Sequence, residues 1–350
     1  MSIPYRTRQK LNFFGMVFLI FSIIAILAWM CWVLWLQRYV VYEDGGARLD
    51  FRRSANEVVG EVAREEEVTV GKISIYYNEG ADAITTTKDL EPINGYYITN
   101  DMVKQNMENV MLQVERLPVG TPVMIDMKGP YGSFFYTSQL GEAIMSASTD
   151  IEAMDQLVQK LKSKGFYTIA RISAFQDWNF GNNHVTSGLY MLSRAGLWLD
   201  PDGYFWLNPT DSTAISWISS IIMELRDMGF NEVVLDNFQF PNSDKYIFSG
   251  DKDAALQEAA NKLVAACGSS GFALSFNVTS PTFPLPAGGR SRIYLENVSA
   301  TQLNAQASQV SFEDVNTYLV FLSESGDTRY DEYSVMRSLM VAEEVEARKR

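Results

Sequence analysis

Histidine, cysteine and basic charge are all scarce in this chain, and each shortage removes a class of chemistry. One histidine, His184, and two cysteines in 350 residues cannot build a four-ligand nitrogen and sulfur site, so structural zinc is excluded. Cys31 lies in an apolar run and Cys267 in a predicted helix. No intrachain disulfide is expected, and a large self-sufficient core must replace covalent staples. A Ser-His-Asp triad would have to draw on His184 in a Gly/Asn-rich loop, and there is no G-x-S-x-G elbow. No glycine loop stands between a strand and a helix in the manner of a phosphate site. The sequence therefore calls for no metal and no cofactor. With 29 Lys and Arg against 42 Asp and Glu, the formal charge is −13, which argues against nucleic-acid binding. Core material is plentiful, at 47% hydrophobic and 13% aromatic, so global disorder is excluded.

Charge is also missing from Phe13 to Leu36, an unbroken run of 24 residues. At about 1.5 Å per residue it is long enough to cross a bilayer as a helix. It is too long for a signal-peptide core, and no small-x-small cleavage site follows. Arg6, Arg8 and Lys10 precede the run, whereas Arg38 alone follows before Glu43 and Asp44. The positive-inside rule then sets a cytoplasmic tail at 1–12, a signal-anchor span at 13–36 and an extracytoplasmic body. Trp29, Trp32 and Trp35 gather at the far end, where an interfacial belt would sit. The expectation is a single-pass protein of the cell membrane. Without the four basic residues of the first 38, the exported part carries 25 basic against 42 acidic residues, a formal −17. Such a surface repels anionic polymers outside a locally neutral patch.

Residues 37–94 read as a stalk or lead-in, with one alternating stretch at Val68–Tyr77, and a regular pattern occupies 95–350. Strands are expected at Gly95–Ile98, Pro122–Lys128, Phe166–Ile172, Glu232–Asp236, Phe272–Asn277, Arg292–Glu296 and Tyr318–Leu322. Between them fall helices from Met102, at Ile151–Lys164, Asp211–Met228 and Ala254–Cys267. The spacing of Val335, Leu339, Val341 and Val345 predicts a terminal helix over 331–348. Seven β-α steps point to an α/β fold, a TIM-type (β/α) barrel preceded by one transmembrane helix. Its closure is incomplete or irregular, or uses an unusual element such as Val68–Tyr77.

In a barrel, residues at strand C-termini converge on one face. The stretch Gly229–Pro241 carries the clearest signal, an apolar strand that ends on Asp236 and runs into a polar, aromatic loop. Asp126, Lys128, Arg171, Asp177, Asn237, Asn277 and Glu296 occupy comparable places. Alternate strands lie roughly 9–10 Å apart, so inward side chains could bring Asp236 within about 5–9 Å of Asp126 or Glu296, a range that spans both glycosidase geometries. One carboxyl would protonate the leaving oxygen and the other would attack or activate water. Trp178, Trp198 and Trp206, with Tyr204 and Phe205, suit sugar-stacking platforms or the packing of the 173–209 excursion onto the barrel.

Gly95–Thr99, Val123–Lys128, Gly165–Ile172 with Phe175 and Asp177, Trp206–Pro209, and Gly229–Pro241 together resemble a family of glycoside-hydrolase-like TIM-barrel proteins, membrane-anchored or secreted, of the bacterial envelope. The resemblance covers roughly residues 95–280 and supports a glycosidase-type site, for which the strand-end positions offer Asp236 with Asp126 or Glu296 as catalytic residues. Arg171, Asp177, Lys128, Asn237, Asn277, Trp178 and Trp206 are the candidate substrate-binding residues. Three departures stand out: Gly129-Pro130 replaces further acidic residues, Gln239 stands where an arginine is usual, and Asn277 where an aspartate is. An amide cannot serve as acid or nucleophile at neutral pH. Two functions follow, a divergent glycosidase acting on an envelope polysaccharide or cell-wall glycan, or a catalytically inactive barrel that binds glycan or an envelope protein partner.

Overall fold

The computed structural model describes residues 90–349 except 269–270, 287–289 and 313, together with Trp29, 40–43 and 46–49. The chain divides into two compact units, 1–74 and 75–350. In the first, Val40–Glu43 and Gly46–Leu49 pair as an antiparallel hairpin. Apart from Trp29, the expected span at 13–36 lies outside the described residues, and so does the stretch 68–77. Among the described residues no helix is long and apolar enough to cross a membrane.

The second unit is built on eight parallel strands that close on themselves. They are β1 Asn94–Ile98, β2 Pro122–Lys128, β3 Tyr167–Ser173, β4 Glu232–Asp236, β5 Ala273–Asn277, β6 Ile293–Leu295, β7 Leu319–Ser323 and β8 Ser334–Ser338. Each pairs with the next, and β8 pairs with β1, Val335 opposite Asn94 and Ser338 opposite Tyr97. The barrel is thus complete, which corrects the expectation of an incomplete or irregular one. Its eighth strand comes from the segment read above as a terminal helix. That segment instead gives β8 and then a separate helix, Ala342–Lys349. The apolar spacing misleads because buried polar residues do much of the packing in β8. Arg337 is fully buried and pairs with Asp331 at 2.6 Å, and Ser334 accepts a hydrogen bond from the Ile93 N–H at 2.9 Å.

Alternation along each strand sorts side chains between two layers. Ala170, Ile172, Val233, Leu235, Phe276 and Phe321 face the helices in the main core, whereas Tyr97, Met124, Ile169, Val234, Tyr294, Val320 and Met336 fill the barrel. At the barrel floor Glu232, wholly buried, meets Arg292 at 2.5 Å and accepts from Tyr167, Ser275 and Tyr294. Arg292 also bonds the carbonyls of Glu91 and Thr317. Every oxygen of that buried carboxylate is satisfied, which makes its burial tolerable.

The outer helices begin where carboxylate and hydroxyl caps dictate. Thr99 caps Asn100–Arg116, Asp150 caps Ile151–Ser163, Asp211 caps Ser212–Asp227 and Asp251 caps Lys252–Cys267, each through a side-chain oxygen. Beyond β6 the helices shrink to Leu303–Ala307 and Val315–Tyr318. The mouth of the barrel is covered mainly by the long loops after β2, β3 and β4.

Candidate active site at the barrel mouth

Three carboxylates gather around one guanidinium where the strands end. Asp126 at the end of β2 and Arg171 near the end of β3 are opposite in register and meet at 2.6 Å. Arg171 also reaches Glu296, just beyond β6, at 3.6 Å. The second Asp126 oxygen accepts from the Asn100 N–H at 3.0 Å. Asp236, at the end of β4, accepts from the Asn277 amide at 2.8 Å and from the Asn237 N–H at 2.9 Å. Asn237 adopts the left-handed conformation, φ 50°, and its side-chain amide bonds Ser173 at 3.1 Å. That turn is what folds an N–H back onto the preceding carboxylate.

Burial raises the Glu296 carboxyl above its ordinary range and Arg171 opposes this, while the charges of Asp236 and Asp126 push the same way as burial. Burial alone would loosen the Arg171 proton, but Asp126, Asp236 and Glu296 together hold it above its ordinary value. The Tyr97 phenol is pushed up to about 12 by burial and by Glu324 nearby, and its ring lies 5.9 Å beneath the Arg171 guanidinium. Glu296 is half-exposed with a raised carboxyl and Asp236 is oriented by two N–H donors, two different settings for carboxyls at one mouth.

A cleft of about 1190 Å³ opens beside this cluster, lined by its Asp126, Arg171 and Asp236 and running along Asn100, Lys104, Tyr131, Met145 and Tyr204. Six of the sequence candidates, Asp236, Asp126, Glu296, Arg171, Asn237 and Asn277, therefore converge at one mouth. The remaining four serve the loops. Lys128 and Asp177 form a 2.9 Å ion pair with both side chains about 1% exposed. Lys128 also donates to the Ser173 carbonyl, and Asp177 caps the short helix Trp178–Asn183 and accepts from Trp217. That pair fastens the loop after β3 to the end of β2, where Lys128 borders the cleft. Trp206 is buried, with its indole N–H on Asp200 at 2.8 Å, so it too packs a loop. Trp178 is the middle ring of a parallel stack, 4.9 Å from Tyr131 and 5.9 Å from Phe205.

Sequence reasoning passes over Tyr131, Tyr97, Glu324 and Ser338. Tyr131 follows Asp126 by five residues in a Gly-Pro-Tyr-Gly turn, a loop without periodicity in which only the proximity to a strand-end aspartate was a signal. Glu324 directly follows β7 and could have been found by the strand-end rule. Ser338 could not, because its strand was read as a helix. Among the described residues no group of three or more His, Cys, Asp or Glu is arranged to hold a metal ion.

Comparison with solved structures finds matches at low identity. A hypothetical protein from Ruminiclostridium thermocellum is 19% identical over 53% of this chain and 97% of its own, with a TM-score of 0.46. Alpha-L-fucosidase isoenzyme 2 from Paenibacillus thiaminolyticus is 10% identical over 75% of this chain, with a TM-score of 0.51. This chain spans 50% of that fucosidase, and the likeness is one of fold. Ega3 from Aspergillus fumigatus, solved in complex with galactosamine, is 14% identical over 68% of this chain and 80% of its own, at a TM-score of 0.39. No curated protein matches the chain. The family described as "Putative glycosyl hydrolase domain" matches residues 95–269, half of the sequence and the part that supplies β1 to β4 with Asp126, Arg171 and Asp236, and the chain belongs to that family.

Proposed function

We propose that this protein is a glycoside hydrolase of the cell envelope, anchored by residues 13–36 with its barrel outside the membrane. Glu296 is the proton donor and Asp236 the nucleophile or base. The observation that carries the reading is the convergence of Glu296, Asp236 and Asp126 around Arg171 at one mouth. Burial raises the Glu296 carboxyl above its ordinary range, while hydrogen bonds from the Asn237 N–H and the Asn277 amide fix the orientation of Asp236. Glu296 would protonate the glycosidic oxygen as the bond breaks, and Asp236 would attack the anomeric carbon or activate the water that does. Asp126, tied to Arg171 and to the Asn100 N–H, is left to shape the field around the sugar ring.

One observation favours the second reading, a barrel that binds without turnover. Asn277 stands where the family has an aspartate, and its amide bonds Asp236. The deciding experiment is hydrolysis of a panel of cell-wall and storage glycans by the full chain in detergent, with Asp236→Asn as control. Turnover that falls about a thousandfold or more in the variant establishes the enzyme. Binding of a glycan with no turnover of any would establish the binding module instead.

A further inference from the structure

We propose that Tyr131 is a stacking subsite for a pyranose ring displaced from the carboxylates, so that the cleft takes a chain of sugars rather than a single one. The inference rests on the glycosidase reading and names the length of substrate that reading requires. Its starting point is the distribution of exposed apolar side chains. Of eleven large hydrophobic residues exposed among the described residues, four, Tyr131, Ile144, Met145 and Met340, line the cleft that holds Asp126, Arg171 and Asp236. Exposed apolar surface gathered in one concavity marks a binding site. A pyranose presents an apolar C–H face and a polar rim, which suits an aromatic face beside carboxylates. The cleft volume of about 1190 Å³ also exceeds the roughly 300–1,000 Å³ of single small-molecule sites.

Tyr131 is built as a platform. The residue is 47% exposed, yet its ring is backed by Trp178 at 4.9 Å and an angle of 7°, with Phe205 behind Trp178 at 13°. Tyr204, which also lines the cleft, meets it edge-on at 6.4 Å. The backbone beneath is fixed from both sides. The Asn179 N–H bonds the Tyr131 carbonyl at 3.0 Å, and the Trp178 N–H bonds Pro130 at 3.3 Å. Gly132 closes the turn at φ 81°, where a Cβ would lie 2.0 Å from Asp177 Oδ1. The buried Lys128–Asp177 pair ties the helix that carries Trp178 to the strand that carries Asp126. A ring held this firmly costs little further ordering when a sugar stacks on it.

The test is calorimetric titration of the full chain in detergent with α- and β-linked hexose and N-acetylhexosamine oligomers, each as dimer and pentamer. For the sugar that binds best, the pentamer should bind at least about tenfold more tightly than the dimer, a gain of about 1.4 kcal/mol. That gain should vanish in Tyr131→Ala and persist in Tyr131→Phe, which keeps the ring. Near-ultraviolet circular dichroism confirms that the variants are folded. A pentamer advantage undiminished in a folded Tyr131→Ala protein overturns the subsite and leaves the glycosidase reading standing. Absence of binding by every oligomer to the unmodified chain overturns both.

Discussion

Replacing Glu296 by glutamine removes a proton donor and preserves the shape of the side chain. General acid catalysis contributes about 10²–10⁴ in rate, and the Glu296 side chain is 45% exposed, so water can partly substitute for it. The lower half of that range applies, a loss of about 10²–10³, or roughly 2.7–4 kcal/mol of barrier. The loss must depend on the leaving group, because an acidic phenol departs without a proton and a poor one cannot. The assay is kcat/KM for two aryl glycosides of the preferred sugar, one with a good and one with a poor leaving phenol. The poor substrate should show the full loss and the good one little. The pH profile carries the same information. Burial raises the Glu296 carboxyl, and only its protonated form can act, so the rate of the unmodified protein falls as pH rises through that raised value. In Glu296→Gln this descending limb should disappear. An equal loss for both phenols, or a surviving limb, would refute the assignment and move the proton to Asp126.

The same variant should be more stable above the ordinary carboxylate range. A raised folded-state pKa gives stability that is present at low pH and lost as pH rises through the folded value, and glutamine has no charge to bury; thermal melts at acid and neutral pH test the difference. Arg292→Met strands the buried Glu232 carboxylate and should cost about 3–5 kcal/mol, seen as a melting point lower by roughly 6–20 °C. Gly132→Ala forces both a left-handed backbone and a clash with Asp177, so it should destabilise by about 1–3 kcal/mol and perturb the near-ultraviolet signal of the Tyr131–Trp178 stack. Gly141→Ala, with nothing within 4 Å of its added carbon, is the control. Protease treatment of intact cells should digest the 39–350 portion, and complete protection would reverse the proposed topology.

The strands of the first half were legible because they are apolar on both faces. Val123-Met-Ile125 and Val233-Val-Leu235 are buried between helices and barrel interior alike, so nothing in them competes with the strand reading. The mouth was legible by the same logic, since a strand that must stay apolar can end on Asp236, Asp126 or Arg171 only where it reaches solvent. β8 breaks this pattern. Ser334, Arg337 and Ser338 are as buried as Val335 and Met336, and their partners, Ile93, Asn94 and Asp331, are unpredictable from local sequence. The same blindness to partners hides the buried ion pair of Lys128 and Asp177, which lie 49 residues apart in sequence at strand and loop positions. Tyr131 was invisible for the converse reason, because its exposure is set by the Trp178 stack behind it.

The seam between β8 and β1 joins residues about 240 apart, as the bond from Ile93 to Ser334 records. Every other strand pair of the barrel can form as the polypeptide emerges, but this one waits until residue 338 is available. Until then β1 and β7 are open edges of a curved sheet, which can recruit strands from neighbouring chains. Long-range closure of this kind is slow. A ribosome stalled, or a message truncated, ahead of Ser334 would therefore release an aggregation-prone half-pipe rather than a smaller working domain.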